Sequence, residues 1–281
     1  MTLPIVAAAV VGGAFFGDNL SFISDTTIVS TQSQGCKLSD KFRFNIRMVL
    51  PVAIIAGLIY IFLGSEATEV VAPQTIPFWK VIPYLTVLIC AAIGMNVLVV
   101  LVIANLLTCI TGIIGGSYDF MGWITSTLDG VMGMSELILI SMLAGGIFAM
   151  ISHNKGMDFI IERITSRVKH RWGAELSICL LVAFANICTA NNTIAILSVG
   201  DISRRISERF GIDPRRSASL LDTTSCCVQG LLPYGAQLLM ASGLAGISAM
   251  SIVPYLYYPT LLGIAVLATI FILHKRNYSK Q

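Results

Sequence analysis

Three carboxylates stand inside otherwise apolar sequence: Asp18, Asp25 and Asp222. A charged side chain at the bilayer centre costs about 2.5–3.5 kcal/mol on insertion scales, so each is a functional candidate unless it caps a helix at the interface. Asp25 and Asp222 open matching triplets, Asp25-Thr26-Thr27 and Asp222-Thr223-Thr224, with Ser24 preceding the first. A further polar run, Asn191-Asn192-Thr193, interrupts the apolar stretch 174–200. Carboxylate and hydroxyl oxygens suit a hard cation such as Na+, and backbone carbonyls freed at a helix break add to the shell. Removal from water favours the neutral form of a carboxyl group, whereas a bound Na+ favours the charged form. H+ and Na+ would then compete for one site, which with alternating access is sufficient for antiport. Asp25 and Asp222 are the expected carriers of Na+ and H+, with Asp18 supporting them. Ser24, Thr26, Thr27, Asn191, Asn192, Thr193, Thr223 and Thr224 complete the expected transport site. The seven cysteines form no CxxC pair, and His153, His170 and His274 lie in or beside basic stretches. No soft metal cluster, catalytic triad or phosphate loop is present in the sequence, which predicts no enzyme and no cofactor beyond the transported ions.

The elements that must position these residues follow from composition. Of 281 residues, 56% are hydrophobic and 12% charged, with a mean hydropathy of +0.83. A soluble domain carries about 25% charged residues. Runs such as 49–63 and 256–273 are continuously apolar, which excludes the alternating strands of a barrel. The expectation is an all-α polytopic membrane protein.

Lys and Arg fall in 31–47, 152–175, 201–216 and beyond Leu273, with Lys80 apart, while 65–80 and 117–135 carry Glu66, Glu69, Asp119 and Asp129. Cytoplasmic loops are enriched in basic residues, so the basic clusters, including the C-terminus, are placed in the cytoplasm and the chain in the inner (cytoplasmic) membrane as a multi-pass protein. Residues 1–151 then read as a first, incomplete repeat: a broken helix over 1–30 and about four spans, two of them short ones turning near Gly94, Met95 and Asn96. Residues 152–172 read as a cytoplasmic amphipathic linker helix, with Ile160, Ile164, Val168 and Trp172 at every fourth position. Residues 173–281 read as a second repeat, with a re-entrant hairpin at 174–200, a broken helix at 217–247 and a last span at 252–273. Pro and Gly close together at Pro233 and Gly235 supply the second break. The two broken helices run in opposite directions, as in an inverted-repeat transporter. The first half lacks the hairpin of the second, which predicts further segments upstream.

The run Gly12-Gly-Ala-Phe-Phe-Gly17-Asp18-Asn-Leu-Ser21-Phe-Ile-Ser24-Asp25-Thr26-Thr27 resembles the NhaC family of Na+/H+ antiporters, within the ion transporter superfamily. Ala190-Asn-Asn-Thr-Ile-Ala-Ile196, Leu221-Asp-Thr-Thr-Ser-Cys226 and Pro233-Tyr-Gly-Ala-Gln237 resemble its second-half signature, so the likeness covers essentially the whole chain. Phe22 stands where relatives often have proline, and the family's further N-terminal spans are absent. The resemblance implies a secondary active transporter that exchanges Na+ (or Li+) for H+, surrounded by membrane lipid, with a homodimer allowed and no nucleic-acid partner. It also admits Na+- or H+-coupled exchange of small organic acids. Against that alternative, no Lys, Arg or His falls inside an expected span to meet a carboxylate, although half-helix N-termini and the Asn191-Asn192-Thr193 tip could bind an anion.

Overall fold

A computed structural model describes residues 2–21, 24–65, 78–93, 95–133, 135–156, 159, 162–163, 168 and 170–278. Every regular element among them is helical. Three stretches, 3–34, Leu38–Gly64 and Arg171–Thr189, are long and apolar enough to cross a membrane. A fourth, Pro214–Ala245, turns through 100° into Ala249–Tyr255. The chain divides into two compact units, residues 1–66 with 136–281, and residues 67–135.

In the first unit, α1 (Leu3–Leu20) runs unbroken through Gly12, Gly13 and Gly17. The break expected within 1–30 therefore lies after Leu20, before α2 (Asp25–Gln34). Phe22 and Ile23 lie outside the described residues. Gly35, at φ 69°, ends α2: its N–H reaches Gln32 O at 3.2 Å and the Cys36 N–H reaches Thr31 O at 3.0 Å. Only glycine takes that left-handed conformation cheaply.

The basic segment 31–47 is not a loop. α2 occupies its first residues and α3 (Leu38–Ser65) begins eleven residues before the continuously apolar run at 49–63. Lys41, Asn45, Val49, Val52, Ala56 and Tyr60 form one buried stripe along α3 at helical spacing, while Arg43 and Arg47 face outward.

The segment 171–210 forms two packed helices, α8 (Arg171–Thr189) and α9 (Asn192–Phe210), joined at Ala190 and Asn191. Each has 19 residues, longer than the expected hairpin of 174–200 allows, because the basic residues Arg204, Arg205 and Arg209 continue α9. Ahead of this pair stands α7 (Ser135–His153). The linker expected at 152–172 falls partly outside the described residues, Ile160 and Ile164 included.

α10 (Pro214–Leu231) starts at the N-cap Asp213, whose side chain accepts from Arg215 N–H, with Pro214 in the first turn. It is buried almost all round from Arg216 to Cys226. One apolar core, with Ile178, Leu181, Ile196, Leu220 and Ile270, lies against one side of α10; another, with Phe15, Val52, Cys226, Leu238 and Leu262, lies against the other. The break at 232–235 leads to α11 (Ala236–Ala245), α12 (Ala249–Ile252) and α13 (Tyr257–Tyr278). A Cβ on Gly230 would lie 2.6 Å from Pro259 Cγ and 3.2 Å from Phe15 Cε2, both parts of rigid rings. Gly230→Ala should therefore destabilise the protein by about 1–3 kcal/mol through overpacking. Thermal unfolding in detergent checks this, and an unchanged midpoint would contradict the packing described.

The second unit carries a short 3-10 turn at Phe78–Val81, then α4 (Ile82–Ala92), α5 (Val97–Ile114) and α6 (Phe120–Gly133). α6 occupies most of 117–135, where the charge pattern pointed to an acidic loop. Asn96 caps α5 by accepting from Leu98 N–H at 3.0 Å, and Asp119 opens α6 by accepting from Gly122 N–H at 2.8 Å. Tyr118 donates to Thr108 O at 2.6 Å, and Trp123 Nε1 donates to Asn105 Oδ1 at 3.3 Å, so α5 and α6 are tied by polar bonds on an otherwise apolar pair. Glu66 and Glu69 lie outside the described residues.

Candidate functional site

The breaks in the first unit face one cavity of about 270 Å3, lined by Asp18, Ser24, Asp25, Thr26, Asn191, Asn192 and Thr193, together with Ala190, Gln229, Ala236 and Gln237. Asp18 sits in the last turn of α1 and Asp25 is the first residue of α2. Ser24, between them, donates to Asp18 Oδ1 at 3.1 Å and shares a 2.9 Å hydrogen bond with Thr26 Oγ1. Asn191 caps α9 by accepting from Ile194 N–H at 3.0 Å. Ala190, at φ 49°, turns the chain just before it.

The second break is built around glycine. A Cβ on Gly235 would lie 2.9 Å from Gln229 O and 3.0 Å from Leu232 O. Gln229 is buried beside it, donating to Ala190 O at 2.8 Å and to Gln237 Oε1 at 3.3 Å. Gln229 Oε1 has no partner among the described residues. Asn186 Nδ2 donates to Ser225 O at 2.7 Å and to Asn192 Oδ1 at 3.3 Å. The turn between α8 and α9 is thus held to α10 by side-chain amides.

The two Asp-Thr-Thr triplets occupy different environments. Asp25 and Thr26 line the cavity at a helix start, whereas Asp222, Thr223 and Thr224 lie buried within α10 and off the cavity wall. Asp222 is fully buried, and its Oδ2 accepts from Lys41 Nζ at 2.6 Å and from Asn45 Nδ2 at 3.2 Å. Lys41, equally buried, also donates to Thr27 Oγ1 at 2.7 Å. Thr27 in turn donates to Asp18 O at 3.1 Å, and Asn45 donates to Asn19 O at 3.2 Å. A hydrogen-bonded chain therefore connects the cavity wall at Asp18 to the ion pair behind it. Thr223 donates only to its own helix, at Ser219 O.

This corrects the expectation that no Lys, Arg or His falls inside a span: Lys41 does, and the carboxylate it meets is that of Asp222. Lys41 was assigned to a cytoplasmic loop because basic residues usually mark loops. The signal that places it inside is its register, in phase with the apolar positions of α3 that follow it. Arg216 is a second case. It is buried, donates through Nε and Nη2 to Glu175 Oε2 at 3.1 and 2.9 Å, and reaches Thr269 Oγ1 at 3.1 Å. Among the described residues no group of three or more His, Cys, Asp or Glu is placed to hold a metal ion.

This arrangement of breaks, buried ion pair and carboxylate-lined cavity can be set beside known proteins. The profile of the Na+/H+ antiporter family matches residues 66–275. The chain belongs to the Na+/H+ antiporter family. The family is one of membrane transporters, so the chain is a membrane protein. The malate-2H+/Na+-lactate antiporter of Bacillus subtilis is 19% identical over 287 residues, covering 91% of this chain and 61% of that protein. The Na+/H+ antiporter NhaC of Alkalihalophilus pseudofirmus is 22% identical, over 90% of this chain and 62% of that protein. The arginine/ornithine antiporter ArcD of Halobacterium salinarum is 21% identical, over 90% and 59%. The chain thus spans about three-fifths of the length of these relatives. No solved structure matches. The profile match begins after α3, so Asp18, Asp25 and Lys41 lie outside it, while Asp222 and the turn at 190–193 lie within it.

Proposed function

We propose that this protein exchanges Na+ (or Li+) for H+ across the inner (cytoplasmic) membrane by alternating access between inverted repeats, with its C-terminus in the cytoplasm. The observation that carries the reading is the cavity in which Asp18 and Asp25 meet the hydroxyls of Ser24 and Thr26 and the amides of Asn191 and Asn192. Such a set offers oxygen ligands to a hard monovalent cation. Cation and proton compete there for the same carboxylate oxygens, so release of one accompanies binding of the other. Asp222 takes part as the buried carboxylate behind the cavity. Lys41 already neutralises it at 2.6 Å, so Asp222 receives a transported cation only when that ammonium withdraws. Two relatives carry Na+/H+ antiporter in their names, which supports the same ions here.

The test is Na+-induced collapse of a preformed pH gradient in everted vesicles. Wild-type protein should dissipate the gradient, and Asp18→Asn, Asp25→Asn and Asp222→Asn should each abolish the response at wild-type expression. Absence of collapse by any inorganic cation with folded wild-type protein would sink the antiport reading.

A further inference from the structure

Three buried oxygens behind the cavity have nothing to accept from. Asn19 Oδ1, Asn45 Oδ1 and Asp222 Oδ1 are shielded from solvent and have no hydrogen-bond partner among the described residues. They belong to α1, α3 and α10, and Asn45 joins the three side chains, because its Nδ2 lies 3.2 Å from both Asn19 O and Asp222 Oδ2. The other polar atom of each group is already engaged. Asn19 Nδ2 donates to Phe15 O at 2.8 Å and to Tyr258 Oη at 3.2 Å, and Asp222 Oδ2 accepts from Lys41 Nζ at 2.6 Å. A buried acceptor left unmet is costly, and three in one cluster call for a common partner. A single water has two hydrogens for three acceptors, whereas a hard cation is met by all of them.

The charges around the cluster point the same way. Asp18 is within electrostatic reach of Asp25, Asp222 and Lys41, so three carboxylates face one ammonium. One Na+ in the cavity offsets one of the two remaining negative charges and leaves the other. Lys41 occupies Asp222 in this structure, but its ammonium binds Oδ2 and Thr27 Oγ1 and leaves all three Oδ1 atoms unmet. A small ion, free of any tether to α3, can sit among them. Withdrawal of the ammonium leads it toward another carboxylate, since Thr27, its second partner, donates to Asp18 O at 3.1 Å.

We propose that Asn19 Oδ1, Asn45 Oδ1 and the Asp222 carboxylate form an occluded station for a monovalent cation, separate from the cavity, at which Na+ and the tethered ammonium of Lys41 replace one another. The inference rests on Na+ being the transported ion, and it adds Asn19 and Asn45 to the residues that hold it.

Lys41→Met opens the station to an outside ion. In thermal unfolding of the detergent-solubilised protein, NaCl in place of choline chloride should raise the midpoint of Lys41→Met by about 5 °C more than that of wild type. Adding Asn19→Leu or Asn45→Leu to Lys41→Met should remove that extra rise, and adding Asn45→Asp, which keeps an oxygen at the same place, should retain it. An extra rise that survives both leucine substitutions, or a response equal in wild type and Lys41→Met, overturns the proposal. Should Lys41→Met not fold, the wild-type background decides: binding of radiolabelled Na+ in nanodiscs should lose one of its two classes of site in Asn19→Leu and in Asn45→Leu, and unchanged binding overturns the proposal. The Na+-induced collapse of a pH gradient is recorded with wild-type protein alongside. Collapse with no asparagine-dependent response to Na+ overturns the station and leaves the antiport reading standing. An asparagine-dependent response without collapse overturns antiport and leaves the station standing. Neither response overturns both.

Discussion

Lys41→Met is expected to destabilise the protein by about 3–5 kcal/mol, because it strands Asp222 as a buried charge with no cation beside it. The cost arises from position. Asp222 lies within α10, which is packed on both sides, and both partners of the pair are fully shielded from solvent. Asn45 Nδ2, at 3.2 Å, is the remaining donor to Asp222 Oδ2 among the described residues, and a neutral amide does not replace an ammonium at 2.6 Å. In thermal unfolding, the loss corresponds to a midpoint lowered by about 10 °C or more. Lys41→Met combined with Asp222→Leu removes both charges and should restore most of the stability. Transport should stay abolished in that pair, because the buried carboxylate is gone. A single variant within about 1 kcal/mol of wild type would contradict the bridge. A double variant that still transports would remove Asp222 from the mechanism.

The second large effect falls on Arg216 and Glu175, and it should be asymmetric. Arg216 spends two donors on one carboxylate oxygen and a further contact on Thr269, with Phe44 5.9 Å from the guanidinium carbon. Glu175 has a second cation in reach, since Arg171 Nε lies 3.7 Å from Oε1 and Arg171 is largely exposed. Arg216→Met therefore leaves Glu175 with a partner and should cost toward the lower end of about 3–5 kcal/mol. Glu175→Gln leaves Arg216 buried without its anion and should cost more. Arg216→Lys keeps the charge but loses the fork, and should fall between wild type and Arg216→Met. Urea or thermal unfolding of the three variants orders them. A larger loss for Arg216→Met than for Glu175→Gln would mean that Arg171 offers Glu175 no relief.

Hydropathy and the scarcity of charge are enough to identify a helical membrane protein, and the rarity of Asp within apolar sequence singles out Asp18, Asp25 and Asp222 as candidates. Asp18, Asp25 and the polar tip at 191–193 are distant in sequence, and the structure brings them to one cavity. The Pro233 and Gly235 pair likewise marks where α10 gives way to α11. What the sequence hid has one physical origin. Rules that read Lys and Arg as loop markers work because an unpaired charge in lipid is costly, and they lose force when a carboxylate from a distant helix cancels that charge. Lys41 finds Asp222 and Arg216 finds Glu175, so two supposed loop residues became interior ones. For Lys41 the helical phase with Val49, Val52 and Ala56 was available as a clue. For Arg216, in a helix buried almost all round, no periodicity singles out an inner face. The similarity of the two Asp-Thr-Thr triplets suggested equivalent roles, but one begins a helix and the other sits in the middle of one, and that difference determines which of them reaches the cavity.

The amide stitching between the α8–α9 turn and α10 constrains how the protein can move. Asn186 and Gln229 each direct their NH2 at a backbone carbonyl across the gap, Ser225 O and Ala190 O. Parting these elements would strand buried carbonyls, at about 1–3 kcal/mol apiece. The turn and the middle of α10 are consequently held as a single piece, and Gln34 adds α2 to it, donating to Gly200 O of α9 at 2.9 Å and accepting from Ser217 Oγ of α10 at 2.8 Å. The Lys41–Asp222 contact fastens α3 to the same piece, which makes it a clasp as well as a charge pair.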